Sequence, residues 1–168
     1  MKRILFLATA CAGALACAPS APVEGGASPS RSVSSEPVSR WSANIQAVTE
    51  SRSEVAQAGR ARSYGTATVS RADNNNLTRV SVVFTHGGSD RFLNWAILEG
   101  NCGTPSLPLL PTTNFPELQV GGGGRAQVTA DLPMEFPLKG SYHINIYRER
   151  RQTIEGLVAC GNLRPSAG

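Results

Sequence analysis

The sequence predicts an all-β domain of antiparallel strands over residues 41–168. Three observations predict it. Apolar and polar residues alternate at period two in one short segment after another, the pattern of strands with one buried face. Clusters rich in Gly, Asn and Asp, namely "ADNNN", "HGGSD" and "GGGG", separate the segments as turns. No segment carries a long, uninterrupted helical period. Seven or eight short strands in a domain of this size imply a sandwich or barrel. The 128 residues from Trp41 onward suffice to bury roughly two-thirds of the unfolded surface, so a true core is possible.

In order along the chain, Trp41–Val48 is the first strand candidate. The following "TESRSEVAQAG" fits either a short helix or a long hairpin arm. "TATVS" sets Ala67 and Val69 on one face. "LTRVSVVFT" sets Val80, Val82 and Phe84 inward against Arg79, Ser81 and Thr85. Phe92–Glu99 is a further strand. The four prolines of "TPSLPLLPTTNFP" exclude a central strand and suggest a long crossover loop, which a Greek key needs. "RAQVTADL" groups Ala126, Val128, Ala130 and Leu132. "SYHINIYRE" groups Tyr142, Ile144 and Ile146 against His143, Asn145 and Tyr147. Ile154–Cys160 is the last candidate.

Ahead of this domain the chain opens with Lys2 and Arg3, an apolar run from Ile4 to Ala16, and small residues at Ala14 and Ala16. That is the layout of an export signal over residues 1–16, about half the length of a membrane-spanning helix. Residues 17–40 are Cys17 and a segment of Pro, Ser, Ala and Gly, too poor in large apolar side chains to offset its ordering entropy. It reads as a disordered tether reaching on the order of 25 Å. "ALAC", Ala14 to Cys17, resembles the lipobox of bacterial lipoproteins, although its leucine, Leu15, stands two residues before the cysteine where that pattern prefers three. The resemblance implies a lipidated Cys17 and a membrane partner through the lipid anchor. With Ala18 rather than an acidic residue following, it further implies an outer-membrane lipoprotein facing the periplasm or the surface. The alternative is a conventional cut that leaves a soluble secreted protein.

Loss of the signal would remove Lys2 and Arg3 and leave a side-chain charge of +2, where the whole chain has +4. So small a charge supports no nucleic-acid partner. Cys11 would leave with the signal, and Cys102 and Cys160 would remain as a pair in an oxidising compartment, where a disulfide is the default.

"NWAILEGNCG", "ELQVGGGGRAQVTADL", "SYHINIYRE" and "LVACGNL" stand in the order found in copper/zinc superoxide dismutase-like and chordin-type Greek-key sandwiches. The resemblance covers roughly Gly65 to Leu163. It implies the same cysteine pair and a metal site on the strand before the first cysteine. The histidines of that family fall on Ala96 and Leu98, and a later one falls on or beside Tyr147. Alanine and leucine have no ligating atoms. Of the two histidines in the chain, His86 in "THGGSD" reads as a solvated turn residue, and His143 as exposed or hydrogen-bonded on a strand face. No metal or other cofactor is expected.

Other motifs carry less. "GGGG" at Gly121–Gly124 precedes a strand pattern, which makes it a hairpin turn and not a phosphate loop. "RERR" at Arg148–Arg151 reads as a solvated strand end whose charge discourages edge pairing. Glu99 and Glu149 could do acid–base work only if they met. No Gly-X-Ser-X-Gly elbow is present. The leading expectation is a non-enzymatic, envelope-anchored lipoprotein domain with a binding or structural role and a lost metal site. One alternative is a divergent superoxide dismutase-like redox enzyme using His86 or His143. Another is a carbohydrate- or protein-binding module built on exposed aromatics such as Trp95 or Tyr147. The protein or glycan partner itself is not identified by these residues.

Overall fold

The computed structural model describes residues 38–48, 63–74 and 76–166. The expected signal, the lipidated Cys17, the tether up to residue 37 and the ambiguous stretch 49–60 lie outside the described residues.

Eight strands form one antiparallel sheet: β1 (Arg40–Ala47), β2 (Tyr64–Arg71), β3 (Thr78–Thr85), β4 (Phe92–Glu99), β5 (Leu118–Gln119), β6 (Arg125–Leu132), β7 (Tyr142–Tyr147) and β8 (Leu157–Ser166). Their spatial order is β5-β4-β7-β8-β1-β2-β3-β6. The edge strands β5 and β6 are joined by the glycine hairpin, so the sheet curls until it nearly closes. This manages edge exposure as a barrel does. Gly124 makes the hairpin possible. It sits at φ +79°, and a Cβ there would run into the carbonyl of His86, whose N–H donates to the Gly124 carbonyl at 2.7 Å.

The predicted faces hold in the β1-β2-β3-β6 half. Ile45, Val69, Val80, Val82 and Phe84 are buried, while their alternating neighbours Asn44, Thr66 and Thr68 face solvent. Removing a side chain such as Phe84 or Val82 from water contributes about 1.5–3 kcal/mol. On the outer face of this half, Arg79 of β3 meets its cross-strand partner Asp131 of β6 at 2.8 Å. That hydrogen bond holds the Asp131 carboxyl below its ordinary range and raises the Arg79 guanidinium. Both groups are solvated, so the pair adds little stability.

The other half departs from alternation. β4 is buried from Leu93 through Leu98, and β7 from His143 through Tyr147. Trp95, Ile97, Ile144 and Ile146 join the core formed with the first half. The opposite face is covered by the long connections on either side. The proline-rich segment is therefore not a crossover. It joins β4 to β5, which are antiparallel neighbours through Phe92↔Gln119 and Leu93↔Leu118, and it runs back along β4. Pro108 bridges Leu98, and Leu109 N–H donates to the Ile97 carbonyl at 2.9 Å. Prolines offer no N–H for a full ladder, so the segment becomes an irregular edge and cover. The sheet halves are instead connected through residues 86–91, the glycine hairpin at 120–124, and residues 133–141.

The last strand is also displaced from its expectation. Residues 153–156 form a turn, and β8 runs from Leu157 through Gly161 to Ser166. Gly161 keeps the strand intact because its backbone lies so close to β1 that a Cβ would sit 2.7 Å from the Asn44 carbonyl oxygen. β7 lies between β4 and β8, so Arg148–Arg151 do not guard a sheet edge. Arg148 and Arg150 instead pair with Asp90 at 3.6 Å and Glu117 at 3.0 Å.

Cys102 and Cys160 are joined by a disulfide, with Cα atoms 5.9 Å apart and a separation of 58 positions in sequence. On a chain-entropy account, closing a loop of that length stabilises the fold by about 4 kcal/mol. The bond fastens the start of the β4–β5 connection to β8. Beside it Cys102 N–H donates to Asn162 Oδ1 at 2.7 Å.

Candidate functional site

Strand register builds the site. Across β4 and β7, Asn94 stands opposite Tyr147, Ala96 opposite Asn145, and Leu98 opposite His143. Asn145 is in turn beside Cys160 of β8, and His143 beside Asn162. Side chains at every second position share a face, so Ala96, Leu98, His143, Asn145 and Tyr147 all lie on the outer face of this half. The three positions singled out by the superoxide dismutase resemblance, Ala96, Leu98 and Tyr147, are thus neighbours on one surface beneath the two long connections.

A cavity of about 410 Å³ remains between that surface and its cover. Leu98, Asn145, Tyr147 and Leu157 contribute from the strands. Residues 103–107 contribute from the β4–β5 connection, and Gln152 and Ile154 from the β7–β8 connection. Leu107 and Ile154, 85 % and 68 % exposed, stand at its rim. The volume falls in the range of small-molecule pockets.

The polarity of this region is unusual. Among the described residues, three buried side-chain atoms have no hydrogen-bond partner: His143 Nε2, Asn145 Oδ1 and Gln152 Oε1. All three belong to the outer face of β7 or to the connection that follows it. Such orphans cost about 1–3 kcal/mol each, and folded proteins keep few of them. The remaining atoms of these groups are engaged. His143 Nδ1 lies 3.2 Å from the Gly100 carbonyl, which can only accept, so Nδ1 carries the proton and Nε2 is a bare lone pair. Asn145 Nδ2 donates to the Tyr147 hydroxyl at 2.8 Å. Gln152 Nε2 donates to the Trp95 carbonyl at 3.3 Å. Gln152 is also the one non-glycine residue at positive φ, 53°, among the described residues, a conformation that costs energy for a side chain of this type. Burial lowers the pKa of His143, keeping it neutral, and raises that of Tyr147, keeping its proton.

These groups do not compose a copper/zinc site. Ala96 and Leu98 offer no donor atoms, and the Tyr147 phenol is protonated and occupied by Asn145. Among the described residues no three His, Cys, Asp or Glu side chains are placed to hold a metal. The two histidines also stand apart. His86 precedes β4, and His143 pairs with Leu98 near its far end, a span of about 20 Å of strand.

His86 is not the solvated turn residue that its sequence context suggested. It is buried, its ring stacks on Phe84, and it joins a polar chain. His86 Nε2 meets Asp90 Oδ2 at 2.8 Å, and Nδ1 meets Ser63 Oγ at 3.3 Å. The carboxylate can only accept, so Nε2 carries a proton, and Nδ1 and the Ser63 hydroxyl share the second bond. A serine, an imidazole and a carboxylate in sequence evoke a nucleophile relay. Here Ser63 is only 3 % exposed, and its Oγ already accepts the Gly87 N–H at 3.1 Å. No substrate carbon can reach it. The chain instead fastens the start of β2 to the β3–β4 connection. The His-to-Asp spacing of four in "HGGSD" was its one trace in sequence.

The aromatic-platform expectation is corrected as well. Trp95 and Tyr147 are buried, and the Trp95 indole N–H donates to the Pro116 carbonyl at 2.7 Å while its ring meets Phe115 edge-on. Core burial with the N–H satisfied is the ordinary fate of tryptophan. A larger concavity of about 780 Å³ lies over β1, β2 and β8, but Ser42, Asn44, Gln46, Thr66 and Thr68 line it as solvated side chains, and none of the three orphan atoms belongs to it.

No protein-family model matches the chain, and neither a curated protein nor a solved structure matches it.

Proposed function

We propose that the chain is a non-catalytic binding domain, a superoxide dismutase-like Greek-key sandwich held at the cell envelope through lipid on Cys17, whose ligand occupies the outer face of β4 and β7. One observation carries the binding role: of the three buried polar side-chain atoms without a partner among the described residues, two, Asn145 Oδ1 and Gln152 Oε1, belong to side chains that line the cavity between the two long connections. Orphaned groups of this kind are retained where something else completes them.

The Greek-key reading draws support from the order β5-β4-β7-β8-β1-β2-β3-β6, in which two four-strand halves can face each other across one core. The loss of a metal site is supported by Ala96, Leu98 and Tyr147 lying together on the face where the resemblance puts metal ligands. The envelope assignment rests on the sequence of residues 1–40, and the disulfide is compatible with it.

Native mass spectrometry of the protein extracted from membranes tests the reading. The expected species has an acylated Cys17, the Cys102–Cys160 bridge and no stoichiometric copper or zinc. Stoichiometric copper or zinc would overturn the non-catalytic assignment, and an unmodified, freely soluble chain would overturn the anchor.

A further inference from the structure

The cavity over β4 and β7 also defines the chemistry of its occupant. We infer that its ligand is a neutral molecule with an apolar body and one protic group, an amide or a hydroxyl. This inference rests on the binding reading above and adds the ligand class to it.

Charge comes first. No side chain that is charged at neutral pH lines the cavity, and its single ionisable group, Tyr147, is kept protonated by burial. A carboxylate or ammonium entering there would lose its hydration with no counter-charge, which is far costlier than leaving it in water. The neutral state of the ligand follows.

Hydrogen bonding comes second. Gln152 donates its Nε2 to the Trp95 carbonyl, an atom that only accepts, so the orientation of the amide is fixed and its free atom is the acceptor Oε1. Asn145 meets the Tyr147 hydroxyl at 2.8 Å, a group that can give or take, so this amide and phenol together present one donor and one acceptor in either orientation. The free Gln152 carbonyl oxygen calls for a group that gives a hydrogen bond, and the Asn145–Tyr147 pair beside it, which keeps one donor and one acceptor to spare, suits a group that can also take one. Amides and alcohols do both, whereas esters and ketones only accept. The strained backbone of Gln152 holds one of these acceptors in place.

Shape comes third. Leu98 and Leu157 supply apolar wall, and the rim residues Leu107 and Ile154 would each lose exposed surface to a ligand that filled the opening. Apolar walls with a few placed polar groups are the general design of such sites. Both oxygens are shielded in the free protein, so ligand seating requires the cover at residues 103–107 to shift while Gln152 keeps its bond to the Trp95 carbonyl.

The test is an NMR titration of the mature, oxidised chain with hexanamide and 1-hexanol against methyl pentanoate, hexanoate and hexylammonium. The amide and the alcohol should bind about 10-fold more tightly than the ester and shift the side-chain NH2 signals of Asn145 and Gln152. The ions should be the weakest. Gln152→Asn, which tolerates positive φ but withdraws the amide, should erase the advantage of the amide over the ester while leaving ester binding in place. An ester that binds as well as the amide, or an ion that binds best, overturns the ligand class and leaves the site standing. If no probe perturbs Asn145, Gln152, Leu107 or Ile154, the binding reading falls with it.

Discussion

The two halves of the sheet obey different rules. In β1, β2, β3 and β6, one face is core and the other is solvated, and the alternation in the sequence says so directly. In β4 and β7 both faces are buried, one by the opposite half and one by the chain's own connections. A strand with one wet face can carry almost any polar residue on that side. A strand covered on both sides must account for each polar group it keeps. His143, Asn145 and the nearby Gln152 are therefore informative in a way that Thr66 or Thr68 is not.

The sharpest way to break this comparison is to place the same charge on the outer face of each half. Ala96→Lys buries an unpaired ammonium in a fully packed position and should cost about 3–5 kcal/mol or prevent folding. Thr68→Lys should change stability by less than about 1 kcal/mol. Urea denaturation of both variants reads the difference, and equal effects would mean that the connections do not cover β4. Next in size is Cys102→Ser, expected to lower stability by about 2–5 kcal/mol. The comparison is with oxidised wild type, and equal melting of the two would deny the bridge a stabilising role. Gly124→Ala strikes the seam where the curled sheet almost meets itself. It should cost about 1–3 kcal/mol, from positive φ and the clash with the His86 carbonyl, as a lowered thermal midpoint.

The smallest effect is the dependence on acid. Burial lowers the folded-state pKa of His143 below its ordinary 6.5. The unfolded chain then binds the proton more readily, so the stability contribution of the neutral ring is complete above 6.5 and is lost as pH falls toward the folded value. His143→Gln should flatten that part of the decline in denaturation midpoint. An unchanged acid profile would show that this ring does not carry it.

Much of the first half was legible because period two encodes a one-sided strand. Val80, Val82 and Phe84 sit where the pattern put them. The second half carried its own signal, since Trp95 to Leu98 is an unbroken apolar run, the mark of burial on both faces. Which chain would do the covering was not legible. The prolines of residues 105–116 say that no regular strand forms there, but not that the segment turns back along β4. The cavity depends on that return path together with the β7–β8 connection, two stretches far apart in sequence. His86 was misjudged for a related reason. A glycine-flanked histidine looks solvated until the hairpin at Gly124 and the serine at position 63 close over it.

The β4–β5 connection is tethered close to both ends, by the disulfide at Cys102 and by the Trp95 indole on the Pro116 carbonyl. What lies between resembles a bridge deck slung from two fixed piers. Between Cys102 and the Pro108 bridge to Leu98, the composition around the exposed Leu107 can change without stress reaching the sheet. Editing a handful of codons there would reshape the rim of the cavity and leave the strands as they are.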